Sequence, residues 1–184
     1  MPEYALLPHP STPCPFIGAV QATVEPLPNG RLRCSYEVTG DIDGLDTPPP
    51  AAPIRTDGLW RRTCFELFLR STHGEDYDEL NFSPSGAWAA YRFTGHRSGM
   101  TPMAMDSPPT IRCQQHPGGL TLDAVIHTPE HRRAPLRIAL SAVLQQRDGA
   151  LTYWALHHPP GAPDFHHDAG FTAMLECIAP ASTR

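Results

Sequence analysis

The fold is decided by one stretch, residues 57–93, which reads DGLWRRTCFELFLRSTHGEDYDELNFSPSGAWAAYRF. In three short segments of it, 64–70, 78–82 and 88–93, apolar residues recur at every second position. That period is typical of β-strands with one face on a core. Turn residues (Gly, Ser and Pro) separate the segments, so the stretch predicts three antiparallel strands connected in order.

Short strands are also predicted on both sides of this stretch. Residues 19–25 and 31–40 flank an Asn-Gly pair, which is a strong signal for a β-hairpin. Five more segments have strand patterns: 111–116, 120–127, 136–146, 151–158 and 171–176. The 22 prolines disfavour long helices. The sequence therefore predicts an all-β fold, an antiparallel β-sandwich of about ten strands.

The length of 184 residues suits a single domain. We expect residues 1–184 to form one β-sandwich domain, with a proline-rich lead-in at 1–16 and a tail at 179–184. The acidic, proline-rich segment 41–56 has two interpretations, a solvated surface connection or a rim or lid over a ligand site.

Composition excludes several classes of function. The chain contains no lysine, which rules out Schiff-base chemistry and a lysine-bearing phosphate loop. Its net charge is −5 and its arginines are scattered, so a nucleic-acid partner is not expected. Five cysteines without a Cys-x-x-Cys pair disfavour a disulfide framework or a zinc knuckle.

We recognise no secretion signal and no apolar run of membrane-spanning length, and we expect a cytoplasmic protein without membrane contact. The sequence does not indicate an oligomeric state.

Alternation within residues 57–93 predicts a polar platform on one sheet face. The residues expected to face the core are Phe65, Leu67, Leu69, Leu80, Phe82, Tyr91 and Phe93. The residues expected to face away are Glu66, Asn81, Trp88 and Arg92, with Trp60, Arg61 and Arg62 at the edge. Such a mixture of carboxylate, amide, guanidinium and indole groups suits a polar ligand such as a sugar. The alternative is a structural network in which Glu66 pairs with Arg92.

A histidine-rich segment lies near the C-terminal end of the sequence. It contains His157, His158, His166 and His167 together with Asp164 and Asp168. Metal binding is one interpretation, but the spacing matches no established motif, and neighbouring residues of a strand point to opposite faces. We instead expect this part of the chain to close the ligand site through Trp154, His157, Phe165 and His166.

Other chemistries have less support in the sequence. Met100, Met103 and Met105 lie in a loop where one of them could ligate haem, although packing is the commoner role of methionine. The serines of N-F-S-P-S-G do not form a nucleophile elbow. Glu66 with Glu79 or Asp78 could form a glycosidase-like pair, which the spacing does not support. We find no nucleophile and no matched acid and base, and this favours a non-enzymatic protein.

Three motifs together resemble those of bacterial DOMON-like proteins. They are D-G-L-W-x-x-T-C-F-E-x-F at 57–68, N-F-S-P-S-G-x-W-A-A-Y-x-F at 81–93 and P-D-F-H-H at 163–167. That group is similar to family-9 carbohydrate-binding modules and to the haem- or sugar-binding DOMON domains. The resemblance covers about residues 17–178 and implies a β-sandwich with a ligand site on one face. Sugar-binding relatives use facing tryptophans, for which this chain offers Trp60, Trp88 and Trp154, whereas haem-binding relatives use a methionine and a histidine.

The sequence thus predicts a non-enzymatic protein that binds a small polar ligand, most of all a sugar or sugar derivative. Trp60 and Trp88 would stack on the ligand, and Glu66, Asn81 and Arg92 would form hydrogen bonds with it. The leading interpretation requires no cofactor. The alternatives are a haem- or metal-binding protein and a protein-interaction domain without a small ligand.

Overall fold

The computed structural model describes residues 2–132 and 135–176 of the chain. The strands are β1 (Glu3–Pro8), β2 (Ile17–Leu27), β3 (Arg31–Gly40), β4 (Cys64–Ser71), β5 (Tyr77–Phe82), β6 (Trp88–Phe93), β7 (Thr101–Pro102), β8 (Thr110–His116), β9 (Gly119–His127), β10 (Leu136–Gln145), β11 (Leu151–Ala155) and β12 (Ala173–Leu175). The helical segments are single 3₁₀ turns at Ile42–Gly44, Leu59–Arg61, Glu130–Arg132 and Asp168–Gly170. In the described part of the chain, none of the helices has the length and apolar character needed to span a membrane.

The strands pair antiparallel into two layers. The first layer has the order β1-β2-β3-β9-β8, and the second has the order β7-β6-β5-β4-β10-β11, with β12 also paired to β10. Strand β1 joins the two layers, because residues 3–6 pair with β2 while Leu7 and Pro8 pair with β11. The predicted antiparallel β-sandwich is confirmed, and the described residues form twelve strands rather than about ten.

The main core lies between the two layers. Val20 and Tyr36 contribute to it from the first layer, and Leu67 and Leu80 from the second, all at most 1% exposed. The Tyr36 ring lies 5.0 Å from the Phe65 ring, and its hydroxyl donates a 2.6 Å hydrogen bond to the backbone carbonyl of Glu66. Burial of each large apolar side chain contributes about 1.5–3 kcal/mol, so this interface supplies most of the stabilisation.

A second apolar cluster covers the outer face of the second layer. It consists of Phe68, Tyr77, Ala89, Tyr91, Phe93, Ala139 and Phe171, with Leu59, Trp60 and Phe165 packed against it. Strands β4, β5 and β6 are therefore buried on both faces. This outer cluster surrounds the candidate site described below.

The structure differs from the sequence prediction at both ends of the chain. Residues 3–8 form a strand within the predicted lead-in, because they fill the gap between the layers and pair on both sides. Strand β11 ends at Ala155 rather than at residue 158, and the last strand spans only Ala173–Leu175. The predicted tail at 179–184 lies outside the described residues.

Candidate functional site

A cavity of about 410 Å³ lies on the outer face of the second layer. Strand residues form its floor: Glu66, Glu79, Phe93, Val143 and Tyr153. Residues of three loop segments form its walls: Trp60, Arg97, Met100, Pro163, Phe165 and His166. The strands fix the position of the acidic floor, and the loops bring aromatic and basic groups over it.

Two buried carboxyl groups occupy the floor. In the β4–β5 pairing, Glu66 lies opposite Asn81, and Phe68 lies opposite Glu79, so both glutamates point to the outer face. The Ser141 hydroxyl donates to Oε2 of Glu66 at 3.0 Å, and Nδ2 of Asn81 donates to Oε1 of Glu79 at 2.8 Å. Within the described residues, Oδ1 of Asn81 is buried without a hydrogen-bond partner. The floor therefore has more acceptors than donors.

Burial and mutual repulsion favour the protonated forms of these carboxyl groups. Burial raises the pKa of Glu66 well above its usual value, and the nearby charge of Glu79 raises it further, against the hydrogen bond from Ser141. Burial also raises the pKa of Glu79 to about 7, although the hydrogen bond from Asn81 and the charge of Arg97 act in the opposite direction. Glu79 therefore exchanges its proton near neutral pH.

The neutral imidazole ring of His166 lies between the loop wall and the acidic floor of the cavity. Burial lowers its pKa to about 4, and the charge of Arg97 lowers it further. The backbone N–H of Arg97 donates to the Tyr77 hydroxyl at 3.2 Å, and this hydroxyl lies 2.8 Å from Nδ1 of His166. Tyr77 can then donate its own proton to Nδ1, which leaves the ring proton on Nε2, 3.8 Å from Oε2 of Glu79. Because His166 is neutral, that contact is dipolar rather than an ion pair.

Asp164 holds two loops together at the rim of the cavity. It forms an ion pair with Arg97 at 2.9 Å, lies 2.8 Å from Nε2 of His96 and accepts a 3.2 Å hydrogen bond from the backbone of His166. Partial burial would raise the pKa of Asp164, but the hydrogen bonds from His96 and Arg97 outweigh it and lower the pKa. The charge of Arg97 is thus paired with Asp164 at the rim, although it still lowers the pKa values of both glutamates.

Aromatic rings supply the apolar surface of the cavity. The Trp60 ring meets the edge of Tyr91 at 5.8 Å, and Phe165 meets the edge of Tyr153 at 5.9 Å. Phe93 is stacked on Tyr77 at 4.8 Å. These contacts fix the rings in place, so apolar faces stand beside fixed polar groups, as in small-molecule sites.

Five of the predicted site residues come together here. Trp60, Glu66, Phe165 and His166 line the cavity, and Asn81 supports its floor through Glu79. The cavity therefore brings Glu66 of β4 together with the loop residues Phe165 and His166.

Two predicted members of the platform, Trp88 and Arg92, lie on the opposite sheet face. In the β5–β6 pairing, Trp88 lies opposite Phe82 and Arg92 opposite Asp78, which places both on the inner side. Trp88 belongs to the core between the layers and is 8% exposed. The prediction failed because Tyr91 was assigned to the inner core, whereas it belongs to the outer apolar cluster. The alternative ion pair of Glu66 with Arg92 is also wrong, since Nε of Arg92 bonds to Asp78 at 3.1 Å.

The remaining predicted residues do not line the cavity. Trp154 is buried in the core between the layers, opposite Ala142, and its neighbour Tyr153 faces the cavity instead. Arg61, Arg62 and His157 are exposed outside the lining. None of residues 41–56 lines the cavity either, so this segment is not its lid. In residues 2–132 and 135–176, no group of three or more His, Cys, Asp or Glu side chains is placed to hold a metal ion.

The predicted ligand site did not include several residues that line the cavity: Glu79, Phe93, Arg97, Met100, Val143, Tyr153 and Pro163. Alternation places Glu79 on the face of Glu66, because it has the same parity as Asn81 on β5, but the sequence suggested it only as part of a glycosidase-like pair. Arg97 and Met100 lie in an irregular loop where no periodicity marks an orientation. Their positions depend on contacts distant in sequence, above all the pairing of Arg97 with Asp164.

Comparison with known proteins shows similarity in fold. No protein-family model matches the chain, and no curated protein matches it. A family-9 carbohydrate-binding module from Caldicellulosiruptor kristjanssonii, in complex with glucose, is 10% identical with a TM-score of 0.51 over 90% of this chain and 80% of that chain. A proposed carbohydrate-binding protein from Bacteroides uniformis is 11% identical with a TM-score of 0.62 over 92% and 84%. The chain has the β-sandwich fold of these proteins.

Proposed function

We propose that this chain is a non-enzymatic protein that binds a sugar or sugar derivative in the cavity above β4 and β5. One observation carries the proposal: aromatic rings and fixed polar groups line one cavity, with Trp60 and Phe165 beside Glu66, Glu79 and Arg97. Sugars present apolar ring faces and many hydroxyl groups, and this lining suits both. The glucose complex of the family-9 module with the same fold supports the proposal.

The dimensions of the cavity suit a small ligand. A volume of about 410 Å³ lies at the lower end of the range for small-molecule sites. Trp60 and Phe165 would pack on the sugar ring, while Arg97 would donate hydrogen bonds and the glutamates would accept them. Because the strands and loops already hold these side chains, little ordering would be required on binding.

We also propose that the chain is a DOMON-like protein of the cytoplasm. The P-D-F-H-H motif that carried the resemblance supports the first assignment, because Pro163, Phe165 and His166 all line the cavity. Within residues 2–132 and 135–176, the free thiols of Cys14, Cys34, Cys64 and Cys113 support the second, because reducing compartments keep cysteines unpaired.

Calorimetric titration with a panel of monosaccharides and disaccharides tests sugar binding. We expect Trp60→Ala and Arg97→Ala each to weaken binding by roughly tenfold or more, since each removes a ring face or charged donor from the cavity. Arg61→Ala is the matched control, because Arg61 is exposed outside the lining and its variant should bind like the wild type. If no sugar binds, or if both cavity variants bind like the wild type, the proposal is wrong.

A second candidate function is haem binding, favoured by one observation. Met100 and His166 line the same cavity, and these two residue types can serve together as axial haem ligands. Nδ1 of His166 is occupied by Tyr77, which leaves Nε2 as the ligating atom. Haem held there would supply one-electron chemistry. A Soret band in the purified protein that is lost in Met100→Ala and His166→Ala would favour this function over sugar binding.

A further inference from the structure

We propose that the ligand of this cavity is positively charged, and specifically that it is an amino sugar whose free ammonium group is bound by Glu66 and Glu79. The inference rests on the proposed sugar-binding function and adds the chemical class of the sugar. It follows from the charges, the hydrogen-bond acceptors and the rings that surround the floor.

The two glutamates have only neutral partners in the described residues. Glu66 accepts a hydrogen bond from Ser141, and Glu79 accepts one from Asn81. Arg97, the arginine that lines the cavity, forms its ion pair with Asp164 instead, and its side chain is 54% exposed at the rim. Two carboxyl groups that are at most 4% exposed thus lack a cationic partner. A buried carboxylate is costly without such a partner, and a cationic ligand would supply one.

The floor also has an acceptor that no donor of the described residues reaches. In the described part of the chain, Oδ1 of Asn81 is buried without a hydrogen-bond partner, and Asn81 lies opposite Glu66 in the strand pairing. The Asn81 amide nitrogen donates to Glu79, whereas Glu66 accepts its hydrogen bond from Ser141. An ammonium group carries three donors and no acceptor, which complements a floor rich in acceptors. A hydroxyl group carries one donor and would satisfy the floor less completely.

The aromatic walls of the cavity also favour a positively charged ligand. Trp60, Phe93 and Phe165 surround the floor with aromatic rings. The face of an aromatic ring attracts cations, most strongly when the site excludes water. Rings and carboxylates together thus favour an ammonium group over a neutral hydroxyl group, whereas rings alone would not distinguish sugars by charge.

Among the described titratable groups around the glutamates, Arg97 alone is positively charged, and it is paired with Asp164. Those that face Glu66 or Glu79 are Tyr36, Cys64, Tyr77, Tyr91, Arg97 and His166. Burial raises the pKa of Cys64 and of the three tyrosines, and it lowers the pKa of His166, so all five are neutral near pH 7. An ammonium ligand would favour the ionised form of Glu79, and binding at a pH below its pKa of about 7 should therefore release a proton.

Calorimetry at pH 7 with glucosamine and glucose tests the inference on the full chain. We expect glucosamine to bind roughly tenfold or more tightly than glucose, because it adds a charge-assisted hydrogen bond. At pH 6, in two buffers of different ionisation enthalpy, the heat of glucosamine binding should reveal proton release, while glucose should show none. Glu79→Gln and Glu66→Gln should each reduce the preference for glucosamine. The control Glu37→Gln, which removes an exposed carboxylate on β3, should keep it.

The outcomes separate this inference from the proposed function. Equal or weaker binding of glucosamine would overturn the cationic ligand and leave sugar binding standing. A preference that survives in both Glu66→Gln and Glu79→Gln would overturn the assignment to these carboxyl groups, provided that circular dichroism shows both variants folded. If neither sugar binds, the inference and the proposed function both fail.

Discussion

Trp60 and Trp88 are close in sequence but have different physical roles. Trp60 is half-buried beside Tyr91 and lines the cavity. Trp88 is 8% exposed, fills the core between the layers and lies under the guanidinium group of Arg55, 5.6 Å from the ring centre. The first ring is therefore available to a ligand, and the second stabilises the fold.

The first prediction separates these roles by substitution. Trp88→Ala should lower the free energy of unfolding by about 3–5 kcal/mol, because it leaves a large cavity in a packed core. Trp60→Ala should cost clearly less, since its ring is already partly hydrated. Urea unfolding followed by circular dichroism measures both values. Equal losses in the two variants would contradict the assignment of Trp88 to the core.

The orientation of individual side chains could be predicted from the sequence only in part. Alternation correctly placed Glu66 and Asn81 on one face, because β4 and β5 carry charged or amide groups between apolar ones. It failed on β6, where Tyr91 packs in the outer cluster and Trp88 in the inner core. When both faces of a strand are buried, an aromatic residue no longer indicates which face is inside. Only the pairing with β5 settles the orientation.

The β2–β3 hairpin depends on its glycines to different degrees. Gly40, at the end of β3, has a φ of 142°, and a Cβ atom there would overlap the backbone oxygen of Phe16 and lie 2.8 Å from Cα of Ile17. Gly30, in the turn, has a φ of 67°, and a Cβ atom there would meet no atom within 4 Å. The first position requires glycine for both space and conformation, and the second for conformation alone.

The second prediction compares alanine at these two positions. Gly40→Ala should destabilise the protein by about 2–4 kcal/mol, because the backbone around Phe16 and Ile17 must shift to accept the new methyl group. Gly30→Ala should cost about 1 kcal/mol, the penalty of the left-handed conformation alone. Thermal unfolding of the two variants measures the difference. A Gly40→Ala variant as stable as Gly30→Ala would show that the contact with Phe16 relaxes freely.

Strands with a clear local pattern could be predicted from the sequence, whereas features that depend on contacts distant in sequence could not. The ten predicted strands all occur, because alternation and turn residues are local signals. Strand β1 was not predicted, because residues 3–8 have no alternating pattern of their own. They form a strand by pairing with β2 and with the distant strand β11. The position of Arg97 in the cavity wall was not predicted for the same reason, since its contact with Asp164 joins segments far apart in sequence.

Across the whole molecule, the site makes opposing contributions to stability as pH changes. The pKa of Glu79 rises from 4.5 to about 7 on folding, so the unfolded state binds fewer protons in that interval and stability falls as pH rises. The pKa of His166 falls from 6.5 to about 4 on folding, so the unfolded state binds more protons there and stability increases with pH. The two effects oppose each other between pH 4.5 and 6.5, and above that interval the effect of the carboxyl group prevails.

The last prediction isolates the carboxyl contribution with Glu79→Gln. The amide introduced by this substitution keeps an oxygen that can accept the hydrogen bond from Asn81 but cannot ionise, so the variant should gain stability over the wild type as pH rises from 4.5 to 7. The gain should reach roughly 3 kcal/mol, since each pKa unit corresponds to about 1.4 kcal/mol. Urea unfolding at pH 5, 6, 7 and 8 measures it, with Glu37→Gln as the exposed control that should follow the wild type throughout. A gain independent of pH would show that Glu79 ionises in the folded state as readily as in water. In that case the cavity would be more hydrated than its burial implies, and Glu79 would gain little from a cationic ligand.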